Sequence, residues 1–354
     1  MALPVIFSGS KKKRDQILAI DLGTRTTKAV IMQRRGDVHV LSRYLLLDAP
    51  IFDKALPPEL LTEHLKAVSQ AMESKSRLVS LTTNVNDALV KHIEIPRMPL
   101  DDMRLILKHN SRNYLQQDLQ NYIFDCHLLP ESAPDTSKPS SAVPKQKVLV
   151  AGGKAQFVNE LVEGVKNAGL VADHILPSMI GPVNAFELAQ PQAFSNEVVA
   201  LIDVGFKSST ICILQHGELV LSRVVNMGGD RLTSAVSDSM EISYAEAEGI
   251  KVGMAGEVQS ALESIITPLG RELRASIDFY EHQADRAVSC AYLTGGSTRS
   301  EFIVQGLQQE LMIEAKTWNP TSFMKLELRP QQAGELEQVA PQLAVAIGAG
   351  IAAL

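Results

Sequence analysis

Ile17-Leu-Ala-Ile-Asp21-Leu-Gly23-Thr-Arg-Thr26-Thr27-Lys28-Ala-Val-Ile31 decides the architecture, because its pattern occurs twice. It can be laid over Val199-Ala-Leu-Ile-Asp203-Val-Gly205-Phe-Lys-Ser208-Ser209-Thr210-Ile-Cys-Ile213, at an offset of 203 − 21 = 182 residues. In each copy an aliphatic run ends in Asp-x-Gly, hydroxyl residues follow, and a second apolar run returns. Such a run closed by a glycine turn reads as a buried strand entering a hairpin. Both copies continue to a turn at Gly36 or Gly217 and a third strand containing Val-Leu-Ser-Arg, at 40–43 and 220–223. One copy is ordinary hairpin chemistry. Two copies at half-chain spacing predict a duplicated α/β protein of two lobes, each with a mixed five-stranded sheet.

The remaining sequence is consistent with that plan. A chain of 354 residues holds two to three domains or one large composite. With 45% hydrophobic and 21% charged residues it has the balance of a globular protein, which excludes a disordered chain, a collagen-like chain and a membrane bundle. Thirty-four basic against forty acidic residues give a net charge of −6, the wrong sign for a protein made mainly for nucleic acid. The basic run Lys11 to Arg14 reads as a solvated tail. Cys126, Cys212 and Cys290 have neither disulfide nor metal-ligand spacing and read as buried thiols in a reducing compartment. No apolar stretch approaches the ~18 residues of a spanning helix. Met1 to Ser10 lacks the order of a signal peptide. The expected location is cytoplasmic, with no direct membrane insertion.

Helices and strands alternate through the rest. Leu60, Leu61, Leu65, Val68 and Met72 recur at helical spacing behind Pro57-Pro58, and Val258, Leu262, Ile265, Leu269, Leu273, Ile277 and Tyr280 form a long stripe. Leu129 to Lys145 carries four prolines among Ser, Thr and Ala and reads as a loop.

The chemistry lies in the turns. An aspartate ending a buried strand is costly unless it meets a cation or donors. Gly23 and Gly205 allow close backbone approach, and Thr24, Thr26, Thr27, Ser208, Ser209 and Thr210 can donate to phosphate oxygens. Two such turns facing each other would clamp a polyphosphate, with Asp21 and Asp203 holding Mg²⁺ through its waters. Gly228-Gly229 before a helix offers unpaired N–H groups to an anion. Thr294-Gly295-Gly296-Ser297 ends another strand where open α/β sheets bind ligands. Glu248 and Lys251 share one helical face.

This combination resembles the actin-like ATPase superfamily, of the ribonuclease H-like fold, and within it the PilM family of type IV pilus assembly proteins, relatives of the cell-division protein FtsA. The resemblance is collinear from about Ile17 to Leu354. It implies ATP and Mg²⁺ between the lobes, with Gly23, Thr24, Thr26, Lys28, Gly205, Ser208, Ser209 and Thr210 around the phosphates. Glu248 and Lys251 would meet the ribose and base and Gly295-Gly296 the α-phosphate side, with Gly228, Gly229 and Ser297 also around the nucleotide. Asp21 and Asp203 would attend Mg²⁺.

The family match also implies boundaries: a flexible segment 1–16, a first lobe of 17–97 and 326–354, an inserted α/β subdomain at 98–182 with a flexible loop 129–146, and a second lobe 183–325. The Pro341 to Leu354 segment resembles a closing helix, with Gly348 and Gly350 permitting close packing. FtsA and the seventy-kilodalton chaperones carry a triple-glycine-Thr second loop. Gly205-Phe-Lys-Ser-Ser-Thr is bulkier, which points to binding with at most slow hydrolysis.

The sequence shows no basic amphipathic tail of the FtsA kind. The resemblance therefore implies a scaffold held at the inner membrane by the short cytoplasmic N-terminus of a PilN-like protein, in a pilus or a type II secretion-like system. The alternatives are a self-associating FtsA-like polymer former, or a metabolic kinase using Asp101 or Asp102 as base.

Overall fold

The computed structural model describes residues 7–8, 14–51, 56–129 and 144–354. Most of the tail predicted to be flexible, and residues 130–143 of the proline-rich loop, lie outside the described residues.

The chain opens with β1 (Phe7–Ser8), β2 (Gln16–Asp21), β3 (Thr26–Arg35), β4 (Val38–Asp48), α1 (Pro58–Met72) and β5 (Leu78–Thr83). There follow β6 (Ala88–Pro96), α2 (Leu100–Asn110), α3 (Arg112–Leu115), β7 (Tyr122–Leu128) and β8 (Lys145–Lys154). Next come α4 (Ala155–Asn167), β9 (Val171–Pro177), α5 (Ile180–Ala189) and α6 (Pro191–Asn196). The second half begins β10 (Val198–Val204), β11 (Ser209–Gln215), β12 (Glu218–Val225), α7 (Gly229–Met240), α8 (Tyr244–Gly253) and α9 (Gln259–Ala284). It ends with β13 (Cys290–Thr294), α10 (Glu301–Leu311), β14 (Glu314–Thr317), β15 (Lys325–Leu326), α11 (Pro330–Val339) and α12 (Ala344–Ala353).

The duplication extends to whole sheets. The first is ordered β1-β9-β5-β2-β3-β4-β15 and the second β12-β11-β10-β13-β14. Strip the two-residue edge strands β1 and β15 and each sheet has five strands. In each, a three-strand antiparallel meander is extended by two parallel strands: β2-β3-β4 with β5 and β9, and β10-β11-β12 with β13 and β14. Even the irregularities repeat. The pairing shifts between Ile31 and Met32 in one meander and between Ile213 and Leu214 in the other, again 213 − 31 = 182 residues apart.

Both sheets are covered on two faces, so their central strands are apolar throughout. Leu18 and Ile20 pack beneath α1 and α4, while Ile17 and Ala19 face the opposite layer with α5 and α12. In the second sheet Ala200, Ile202 and Val204 meet α7, α9 and α10, and Val199 and Leu201 join the central layer. Among the described residues Cys126, Cys212 and Cys290 are buried and unpaired.

Several expectations change. β6, placed in the first lobe by sequence, pairs with β8 in a separate sheet β6-β8-β7. α4 and β9, placed in the insert, belong to the first lobe, where β9 extends the sheet beside β5. The inserted unit therefore runs from about 88 to 154. Apolar alternation marks a strand but not its partner, so sequence reading misassigned both ends. Part of the tail is also held in place. β1 pairs antiparallel with β9, and Arg14 Nη2 lies 2.9 Å from Asp173 Oδ1. That contact neutralises a carboxylate with 1% exposure. Finally, residues 330–353 are long and apolar enough to count as a candidate span, contrary to the sequence reading. Nearly all of α12 is buried against α5 and β2, the position of a core helix.

Candidate functional site

The two Asp-x-Gly turns face a single cleft of about 380 Å³ between the lobes. In register, Asp21 stands beside Lys28 on β3 and Thr82 on β5. Asp203 stands beside Thr210 on β11 and Thr294 on β13. The same strand positions thus supply each aspartate with its neighbours.

Their environments differ. Asp21 accepts from Lys28 Nζ at 3.1 Å and from Thr82 Oγ1 at 2.9 Å, so a buried carboxylate meets a cation and a hydroxyl donor. Asp203 is half-buried on the cleft wall. Burial pushes its carboxyl up to about 6, Lys28 works against the rise and Asp21 adds to it. Among the described residues no cluster of three or more His, Cys, Asp or Glu could ligate a metal directly. Two opposed carboxylates suit a hydrated Mg²⁺ held through its waters.

The glycines make the turns tight. A Cβ on Gly205 would lie 2.6 Å from the Ser208 carbonyl oxygen, and one on Gly23 would overlap that of Thr26. Gly295, at φ +99°, brings the end of β13 against Asp203 and the Val204 carbonyl, where no side chain fits. The Thr294 hydroxyl and the Gly295 N–H both donate to the Pro341 carbonyl, tying this turn to the C-terminal segment.

On the second-lobe side, Lys251 Nζ donates to Glu248 Oε2 at 2.7 Å and to Thr233 Oγ1 at 2.9 Å. Thr233 Oγ1 lies 2.6 Å from Glu248 Oε2, closing a three-membered polar cluster. Burial lowers the Lys251 ammonium, against the bond to Glu248. Burial raises Glu248, but bonds from Lys251 and Thr233 outweigh it and hold the carboxylate below its ordinary range.

Of the residues singled out by sequence, Asp21, Gly23, Thr24, Thr26, Lys28, Asp203, Gly205, Ser208, Thr210, Gly229, Glu248, Lys251, Gly295, Gly296 and Ser297 all line the cleft. Three hydroxyl and glycine positions do not. Ser209 Oγ donates to the Met227 carbonyl at 2.8 Å, and Thr27 Oγ1 pairs with His64 Nε2 at 2.8 Å, so both brace their loops from behind. Gly228 packs on the Gly205 and Phe206 carbonyls, which accept from the first N–H groups of α7, at Gly229 and Asp230. Those donors cap the helix onto the second turn and are not offered to an anion, contrary to expectation. Asp101 and Asp102 begin α2 in the insert and do not line the cleft, which removes the base a kinase reading required. Sequence reasoning missed Thr82, whose only signal was its place at the end of a strand parallel to β2. It also missed Arg25, Arg299 and Gln342 on the cleft wall.

A family model described as "Type IV pilus assembly protein PilM" matches residues 19–353 of the chain. The structure resembles that of a PilM–PilN type IV pilus biogenesis complex, with a TM-score of 0.80, 20% identity and coverage of 96% of this chain and 98% of that one. Cell division protein FtsA of Bacillus subtilis (strain 168) is 34% identical over 103 residues, 29% of this chain but only 22% of that protein's length. The fold also matches MreB5 of Spiroplasma citri bound to AMPPNP, at a TM-score of 0.52 with 10% identity and 95% of each chain covered.

Proposed function

The chain belongs to the PilM family of type IV pilus assembly proteins, and from that premise we propose that it is an ATP-binding actin-like scaffold that docks the cytoplasmic N-terminal peptide of a PilN-like inner-membrane protein. It works on the cytoplasmic face and reaches the membrane through that partner.

The observation that carries the nucleotide reading is the pairing of two equivalent Asp-x-Gly turns across one cleft beside the Glu248–Lys251–Thr233 cluster. In this reading the backbone and hydroxyls of Gly23, Thr24, Thr26, Gly205, Ser208 and Thr210 hold phosphate oxygens, with Lys28 supplying positive charge. Glu248 and Lys251 hold the ribose and base. Asp21 and Asp203 hold hydrated Mg²⁺, which would neutralise the triphosphate. Because the residues come from both lobes, a ligand that binds the closed arrangement more tightly shifts the protein toward it, and peptide affinity follows.

Calorimetric titration with ATP and Mg²⁺ tests this reading, with a folded Asp21→Ala, Asp203→Ala double variant as control and the denatured supernatant checked for retained adenine absorbance. Micromolar binding lost in the variant, and a PilN-like peptide captured differently with and without ATP, is the expected result. A protein that binds neither ATP nor such a peptide overturns it. An FtsA-like polymer former would instead sediment as filaments with ATP and Mg²⁺.

A further inference from the structure

One cation on the cleft wall is unused by the reading above. Arg25, at the tip of the β2–β3 turn, reaches from the first lobe to the second. Its guanidinium carbon lies 5.3 Å from the ring centre of Phe206 and 5.2 Å from that of Tyr244. Both distances fall within cation–π range. Among the described residues Arg25 makes no ion pair; its direct contacts across the cleft are to the two rings, and its charge also acts on Glu248 of the second lobe.

The rings are themselves fixed. Tyr244 donates from its hydroxyl to Asp230 Oδ1 at 3.0 Å, and burial foremost pushes that phenol up to about 12, so the donor keeps its proton. The other Asp230 oxygen is 2.6 Å from Lys207 Nζ, and Lys207 Nζ also lies 5.2 Å from the ring centre of Phe206. Asp230 is the second residue of α7, and its N–H donates to the Phe206 carbonyl. Phe206, Lys207, Asp230 and Tyr244 thus form a closed set of contacts within the second lobe, and Arg25 is the first-lobe group that engages it. Opening the cleft at this lip must pull Arg25 off both rings.

We propose that Arg25 is a positioning residue that clasps the two lobes at the cleft mouth and sets the residence time of a bound nucleoside polyphosphate. The residence-time half of this statement rests on the nucleotide reading; the clasp itself does not. It acts by resisting lobe separation, so its loss is read in dissociation more than in association.

Two measurements test it. Release of radiolabelled ATP, chased with excess unlabelled ATP and Mg²⁺, is expected to quicken about 5- to 30-fold in Arg25→Ala. Arg25→Lys, which keeps a cation, falls between, and Tyr244→Phe, which keeps the ring, stays near the parent. Arg25→Ala combined with Tyr244→Leu should be no faster than the quicker single variant, because both break one contact. Unchanged release in Arg25→Ala, or single effects that multiply, overturns the proposal.

The second measurement needs no nucleotide. Spin labels at Lys75→Cys in the first lobe and Asp238→Cys in the second, with the native thiols buried, report the distance between lobes. Arg25→Ala should lengthen and broaden that distribution, and an identical distribution removes the clasp. Absence of ATP binding by the parent protein, with a broadened distribution in the variant, would fault the nucleotide reading and leave the clasp standing.

Discussion

Gly348 of α12 and Gly181 of α5 meet backbone to backbone: a Cβ built on Gly348 would fall on the Gly181 carbonyl oxygen, and one on Gly181 would sit 2.6 Å from the Val345 carbonyl oxygen. Asn184 Nδ2 donates to the Gly348 carbonyl at 3.3 Å beside this crossing. α12 also lies on β2, β3 and β5, and α5 leads through α6 into β10. The crossing therefore locks the C-terminal helix between the first sheet and the connection to the second.

Gly348→Ala should lose about 1–3 kcal/mol of stability through overpacking. Gly334→Ala in α11, where a Cβ would meet nothing within 4 Å, should be neutral or gain about 0.5–1 kcal/mol. Urea unfolding of the two variants compares them directly; equal losses would contradict the contact.

Lys28 is the cation of Asp21. Lys28→Met leaves a carboxylate of 5% exposure with Thr82 as its donor and should cost about 2 kcal/mol. Adding Asp21→Asn removes the stranded charge and should restore part of the loss. A double variant that is merely the sum of the singles would show that the pair is not coupled.

Thr233 joins Lys251 to Glu248 through one hydroxyl. Thr233→Val keeps the shape and deletes that link, so stability should fall by about 1 kcal/mol. If Glu248 and Lys251 contact the nucleotide, ATP affinity should fall about 5- to 10-fold in the same titration. Unchanged affinity beside a stability loss would confine the cluster to a structural role.

Glu73 accepts from Arg43 and Arg329, which hold its carboxyl down to about 2 from an ordinary 4.5. The unfolded chain therefore takes up this proton more readily between those values, and the contribution to stability is full above pH 4.5 and lost as pH falls toward 2. The Tm difference between the parent and Glu73→Gln, measured along a pH series, should shrink over that window. The exposed position of Glu73 makes the difference small and sensitive to salt.

Much of the fold was legible because the duplication wrote it twice. A single Asp-x-Gly hairpin is ambiguous, whereas the second copy 182 residues on made Asp21 and Asp203 equivalent before any strand was seen to pair. The glycines were legible for the same reason, since a missing Cβ marks a place where backbone comes close. The limits of the insert were not legible. β6 and β8 alternate like any strand, and nothing in their residues names the sheet they join. The role of the α7 N-terminus was misread because free N–H groups in sequence become occupied donors once the Gly205 and Phe206 carbonyls are folded against them.

By itself, then, the sequence determined the repeated unit, the two aspartates, the tight turns and the aliphatic strands, all of which follow from local spacing and residue chemistry. Only the tertiary structure decided which carboxylate is ion-paired and which is pushed up, because strand register brings Lys28 and Thr82 to Asp21, while Asp203 sits half-buried on the cleft wall, where desolvation raises it to about 6 and Asp21 adds to the rise. It also decided that Arg25 spans the cleft, since its rings lie 181 and 219 positions along the chain (206 − 25 and 244 − 25). Local pattern specifies an element; the long-range contacts that set charge and closure exist only after the lobes have packed.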